Sequence, residues 1–276
     1  MLRETVRVQY RHAPGANFAD LDAVLASAPG RPSLPVRLTL ELFGRCHEQL
    51  GDPGPVVVWD PCCGTGQLLT TLGLLRRDEV AALVGSDADP EPLALAARNL
   101  ALLTPGGAEA RAAELDALAW QHGKPGYSDA AAAARRLDPA REGPPSEVTV
   151  ADAFDPAATG GIVARHRPMV VLADLPYGRQ TNWAGRAAAP QPDAPAGDPG
   201  PHDGAAPDDG AASEAGEPSP EVSFVSALAR VLDPAAVIAV VAQTRKVTLP
   251  PGTTALERLR VGHRAAAIVR AGDVAI

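Results

Sequence analysis

The chain has 276 residues, three cysteines and a formal charge of −8, which is length enough for one α/β domain with insertions. No apolar run approaches a membrane span, and Met1-Leu2-Arg3-Glu4 opens no signal-peptide apolar stretch, so a cytoplasmic protein away from membranes is expected. Three cysteines, two of them adjacent at Cys62 and Cys63, give neither a disulfide framework nor a zinc set, and a reducing setting follows.

The first fifty residues break at a Pro/Gly-rich turn over 27–35. After it, Val36, Leu38, Leu40, Leu42, Phe43 and Cys46 suit a helix over 36–50 packed on a sheet. A strand over 56–59 ends in Asp60, and Pro61-Cys62-Cys63-Gly64-Thr65-Gly66 turns the chain into a helix over 67–77. A strand over 82–86 ends in Asp87 and leads to a helix over 90–103. Two further helices, 108–121 and 127–137, flank Gly123-Lys124-Pro125-Gly126 and read as a helical insert bounded at 107–141. Strands over 148–151 and 169–173 end in Asp152 and Asp174. A helix over 222–232, a strand over 236–242, a short helix over 254–260 and a strand over 264–270 complete the pattern. Such alternation predicts a doubly wound, mostly parallel sheet.

The charge is unevenly placed. Residues 187–221 hold eight acids and no Lys or Arg, which accounts for the whole excess, so the remainder is neutral. This Pro/Ala/Gly/Asp-rich stretch lacks apolar periodicity and is expected to be a disordered acidic loop over 187–220. Arginines are enriched near both ends of the chain, so Arg11, Arg37, Arg245 and Lys246, with Arg179 and Trp183 after the fourth acid, are candidates for tracking an RNA backbone.

Four strand-end aspartates need a common explanation, because the carboxyl ends of strands line the ligand crevice of an open α/β sheet. Gly64 and Gly66 let backbone approach a ligand closely. Asp87 lies 21 residues beyond Gly66, at the end of the next strand, where a ribose-binding carboxylate belongs. The turn lacks the third glycine of a dinucleotide fingerprint, and no Gly-Lys-Ser/Thr follows. A ligand with a ribose and a cationic methionine tail, and without a diphosphate, fits better: S-adenosylmethionine. Asp60, Cys62, Gly64, Gly66, Asp87, Asp152 and Ala153 are therefore expected around it, with Asp152-Ala153-Phe154 at the adenine. A helix cap at Asp152 and a core role for Phe154 are the plainer alternative.

In Asp174-Leu175-Pro176-Tyr177, the proline restricts Leu175 to an extended form. The Leu175 carbonyl and the Asp174 carboxylate can then face one N–H edge of a base stacked on Tyr177. Asp174, Leu175, Pro176 and Tyr177 are accordingly the expected catalytic set, acting by alignment and proton removal. Cys62 and Cys63 lack an activating base and read as small residues behind the loop. His12, His47, His122 and His166 show no metal-ligand spacing.

These residues resemble the avilamycin-resistance rRNA methyltransferases, the AviRa family. Similar strings include Tyr10-Arg11-His12, Pro35-Val36-Arg37-Leu38, Trp59-Asp60-Pro61-Cys62-Cys63-Gly64, Leu72-Gly73-Leu74-Leu75, Gly123-Lys124-Pro125, Ala133-Ala134-Arg135-Arg136-Leu137, Asp174-Leu175-Pro176-Tyr177-Gly178 and Ala255-Leu256-Glu257-Arg258-Leu259. The resemblance implies a Rossmann-like class I methyltransferase domain over 51–276 behind a helical, basic extension over 1–50. It implies methyl transfer from S-adenosylmethionine to a guanine base of 23S large-subunit rRNA, with N1 the expected position, and resistance to orthosomycin antibiotics; a monomer is expected. Carried over by position, Asp60, Gly64 and Gly66 shape the cofactor loop, Asp87 takes the ribose, Asp152 sits near the adenine and 174–177 hold the base. The acidic stretch is longer than the family needs. Guanine N2, adenine N6 in RNA or DNA, a protein glutamine amide, and a binding-only RNA partner are the alternatives.

Overall fold

The computed structural model describes residues 10–13, 15, 18–28, 33–137, 142–175 and 218–276. Seven strands form one sheet: β1 (Val56–Asp60), β2 (Val80–Asp87), β3 (Ser146–Val150), β4 (Val170–Asp174), β5 (Val237–Ala242), β6 (Glu257–Val261) and β7 (Arg264–Arg270), in the order β3-β2-β1-β4-β5-β7-β6. The first five in that order pair in parallel, and β7 joins β5 antiparallel. The helices are α1 (Ala19–Val24), α2 (Val36–Gln49), α3 (Gln67–Leu75), α4 (Leu93–Leu100), α5 (Gly107–His122), α6 (Pro125–Arg136), α7 (Pro156–His166) and α8 (Pro220–Ala229).

Strand periodicity sorts the core into two layers. Val56 and Val58, with Val237, Ala239 and Val241, face the layer containing α2, α3 and the α5–α6 pair. Trp59, with Ile238 and Val240, faces Ile162 of α7 and Phe224 and Leu228 of α8. Buried on both faces, β5 is apolar at every position, as a central strand demands.

Two expectations fail. The segment 254–260 is not helical, since Glu257–Val261 is a strand paired with β7. Its alternation decides the matter: Leu259 points inward while Arg258 and Arg260 are exposed, and Gly262 at φ +59° turns the hairpin. A helix between β3 and β4 was not expected, yet α7 occupies 156–166. Pro156 opens it and Asp155 caps it, the carboxylate accepting the Ala157 amide at 2.9 Å. Parallel strands require such a crossover, and Gly160-Gly161 masked its pattern. Of the expected loop over 187–220, residues 187–217 lie outside the described residues, and α8 begins at Pro220.

Candidate active site

The strand order reverses between β1 and β4, so the crevice opens at their carboxyl ends, where Asp60 and Asp174 sit. Asp60 is 2% exposed and accepts the Cys62 amide at 3.1 Å. Burial, and then the neighbouring charges of Asp87 and Asp174, push its carboxyl well above the usual range. Asp87 accepts the Gly64 amide at 2.8 Å and the Asp89 amide at 3.0 Å. Burial raises Asp174 to about 7, with Arg264 opposing. Its Oδ1 is buried and meets no hydrogen-bond donor among the described residues.

Adjacent segments hold the loop between β1 and α3. The Cys63 amide donates to the Ser86 carbonyl at 2.9 Å, and the Gly66 amide to the Cys63 carbonyl at 2.7 Å. Gly64 (φ +50°) and Gly66 (φ +71°) both need the left-handed region. Nothing lies within 4 Å of a Cβ built at Gly64, whereas one at Gly66 would sit 3.0 Å from the Ala96 Cβ. Gly64 therefore leaves space toward the crevice, and Gly66 seats α3 on α4. Asn99, which sequence reasoning missed, ties the loop to the N-terminal segment. Its amide donates to the Thr65 carbonyl at 2.8 Å and the Ala26 carbonyl at 2.9 Å, while its Oδ1 accepts the Ala26 amide at 2.7 Å. Its signal was an asparagine beside Arg98 in a short, mostly apolar helix.

Three carboxylates thus crowd one end of the sheet, close enough for Asp87 and Asp174 to impede the ionisation of Asp60. Such a site favours a cationic ligand bearing hydroxyls. An ammonium, a sulfonium and a ribose diol fit this donor set, and a phosphate does not. S-adenosylmethionine therefore suits the residues present.

The remaining candidates divide. Asp152 accepts the Phe154 amide at 2.9 Å, Ala153 is buried, and Phe154 meets Phe224 edge-on at 5.9 Å. The core role for Phe154 holds, and the cap of α7 is Asp155 instead of Asp152. The Cys62 and Cys63 thiols are pushed up by burial and by nearby Asp60, the reverse of an activated nucleophile. Leu175 is buried, its amide donating to the Val241 carbonyl at 2.9 Å. Pro176, Tyr177, Arg179 and Trp183 lie outside the described residues.

Among the basic candidates, Arg245 and Lys246 are exposed just beyond β5, at the same edge as Asp174. Arg37 is exposed, its guanidinium 4.0 Å from the Tyr10 ring centre. Arg11 is exposed and pairs with Glu48 at 2.9 Å and Glu257 at 3.0 Å. That pairing belongs to a network centred on Glu41, which sequence reasoning passed over. Glu41 is 0% exposed and accepts the Arg11, His12 and Ala13 amides at 2.8–3.1 Å and the Arg45 guanidinium at 2.7 Å. Burial works to raise its carboxyl, and these donors outweigh burial and hold it below the usual range. Arg45 also binds Glu257. The signal available was a Glu-Arg pair at i, i+4 in an amphipathic helix, with Glu41 flanked by Leu40 and Leu42.

Comparison with known proteins points to one family. The family profile described as rRNA methyltransferase AviRa matches residues 7–194, a stretch containing all four strand-end aspartates. The 23S rRNA (guanine(2535)-N(1))-methyltransferase of Streptomyces viridochromogenes is 43% identical over 272 residues, covering 96% of this chain and 97% of the relative. Two solved structures of the rRNA methyltransferase aviRa from that organism superpose with TM-scores of 0.76 and 0.77 at 42% and 41% identity. Each comparison covers 96% of this chain and 98% of the other.

Proposed function

Because the chain belongs to the AviRa family of rRNA methyltransferases, we propose that it methylates N1 of a guanine in 23S rRNA, using S-adenosylmethionine, and so confers avilamycin resistance. The observation that carries this reading is the 43% identity to a guanine-N1 enzyme across 96% of the chain. The crowded carboxylates supply its chemical support.

S-adenosylmethionine, when bound, supplies an electrophilic methyl group on a sulfonium. The residues of the chain do the rest. Asp87 and the open side of Gly64 receive the ribose, Asp60 holds the Cys62 amide and lies toward the cationic tail, whose charge would draw its raised carboxyl back toward ionisation, and Asp152 with Ala153 borders the adenine. Asp174 faces the N–H edge of the base. With its carboxyl raised to about 7, it is a fair proton acceptor near neutral pH. As the ring nitrogen takes the methyl, the N1 proton passes to Asp174 and then to water. Pro176 and Tyr177 complete the base pocket in this reading, and Arg245 and Lys246 contact RNA phosphates beyond β5.

The test is methyl transfer from isotopically labelled S-adenosylmethionine to large ribosomal subunits or 23S rRNA from cells lacking the enzyme, mapped by nuclease digestion and mass spectrometry. Label as 1-methylguanosine at a single site is expected. Label on adenine, on guanine N2 or on a protein would replace the reading with that acceptor. Cofactor binding without transfer would point to a binding-only role.

A further inference from the structure

Alternation along the strands places four charged residues on one face of the sheet. Val58 and Leu172 face the layer of α2 and α3, while Trp59 and Ala173 face the other layer. Asp60 and Asp174, one residue further on, return to the α2–α3 face. Leu83 and Val84 fix the same parity for Asp87. On β7, Ala266 faces the α2–α3 layer and Ala265 the other, so Arg264 shares the face of the three carboxylates. Because β7 runs antiparallel to β5, its first residue, Arg264, lies at the carboxyl end of β5, the same edge of the sheet as Asp174.

Register sets the separation. Asp174 pairs with Val241, and Val241 with Ala266. Arg264 therefore stands two strands across and two residues along from Asp174, about 12 Å between backbones. Arginine and aspartate side chains extended toward each other over that span leave a gap the width of a base edge. The two charges sense each other, since Arg264 opposes the rise of the Asp174 carboxyl. They do so without contact at Oδ1, which is buried and meets no donor among the described residues. Arg264 is half-buried, unlike the exposed Arg245 and Lys246. An acceptor and a forked donor thus share one wall of the crevice. The Watson–Crick edge of guanine offers the complement, an N1–H donor beside the O6 acceptor.

We infer that Arg264 is a catalytic residue, donating to O6 of the target guanine while Asp174 accepts the N1 proton. This rests on the guanine-N1 reading above. N1 has no free in-plane electron pair until its proton leaves. As the proton passes to Asp174, the pair left on N1 attacks the sulfonium methyl. The electrons of the broken carbon–sulfur bond stay on sulfur, leaving S-adenosylhomocysteine. Partway through, negative charge spreads from N1 through C6 onto O6, where a fixed guanidinium stabilises it. Adenine carries an amine at C6 and no N1 proton, so it would leave both groups unmatched.

The test sets Arg264→Ala and Arg264→Lys beside wild type on 23S rRNA carrying guanosine or 6-thioguanosine at the methylated position. The sulfur keeps N1–H and replaces O6 with a weak acceptor. On guanosine, Arg264→Ala lowers single-turnover kcat by about 10²–10³, as loss of one such donor does. Arg264→Lys recovers part of that loss, and S-adenosylmethionine affinity stays at the wild-type level. On 6-thioguanosine the penalty of Arg264→Ala shrinks by about tenfold or more. An Arg264→Ala penalty of equal size on both substrates overturns the inference and leaves the guanine-N1 reading standing, because a merely structural arginine cannot tell oxygen from sulfur at C6. If Arg264→Ala fails to fold, Arg264→Lys on the two substrates reads the same difference. If wild-type protein labels another atom, or none, the reading falls and the inference with it.

Discussion

Replacing Asp174 by asparagine separates stability from activity. The carboxyl is buried, its Oδ1 meets no donor among the described residues, and its titration is raised to about 7. A carboxyl whose folded pKa exceeds its unfolded value holds its proton more tightly when folded. Its contribution to stability is therefore full below the unfolded value, near 4, and is lost as pH rises toward 7. Three units of displacement correspond to roughly 4 kcal/mol at most, by the linkage of about 1.4 kcal/mol per unit. Solvent entry and relaxation reduce that, so about 1–3 kcal/mol of relief is expected from Asp174→Asn at pH 8, and little at pH 4. The same change removes the proton acceptor, for which a loss of about 10²–10⁴ in kcat is typical. Urea unfolding of both proteins from pH 4 to 8, beside single-turnover methyl transfer, tests this. The difference between the two stability curves should open between pH 4 and 7 and then stay flat. An Asp174→Asn protein less stable than wild type at pH 8, or one that keeps its turnover, would refute the reasoning.

Arg264 opposes the rise of Asp174, so Arg264→Ala should move the alkaline-going midpoint of the kcat profile upward from about 7; an unmoved midpoint would mean another group controls the profile. Glu41→Gln removes the charge that Arg45 and three backbone amides share, and should cost about 3 kcal/mol, as losing one partner of a buried pair does. Denaturant titration reads that loss, and proteolysis should cut first near residues 10–13. Gly66→Ala forces a Cβ to 3.0 Å from that of Ala96 at φ +71°, a strain of about 1–2 kcal/mol. Calorimetry should show S-adenosylmethionine binding weakened about tenfold or more, while a variant binding at wild-type strength would show that the loop tolerates the side chain.

Much of the site was legible in the chain because its signals are local. A β-branched run, an aspartate and a Gly-x-Gly turn form a strand, a loop and a helix wherever they occur, and all four aspartates appear at or just beyond strand ends. Signals that depend on partners were less visible. The stretch 254–260 has helix-compatible composition, and its short alternation at Arg258, Leu259 and Arg260 becomes decisive once Glu257–Val261 pairs with β7. The sequence shows the charge of Arg11 but not its partners Glu48 and Glu257, the latter 246 residues away. Local order along the backbone, the spacing of acids and glycines and the run of apolar faces were fixed by the chain, since each depends on neighbours within a few residues. The tertiary structure alone decided which carboxylates crowd together and which arginines meet acids far away in the chain. Electrostatic energies depend on distance and burial, and residues far apart in sequence acquire both only when the sheet assembles.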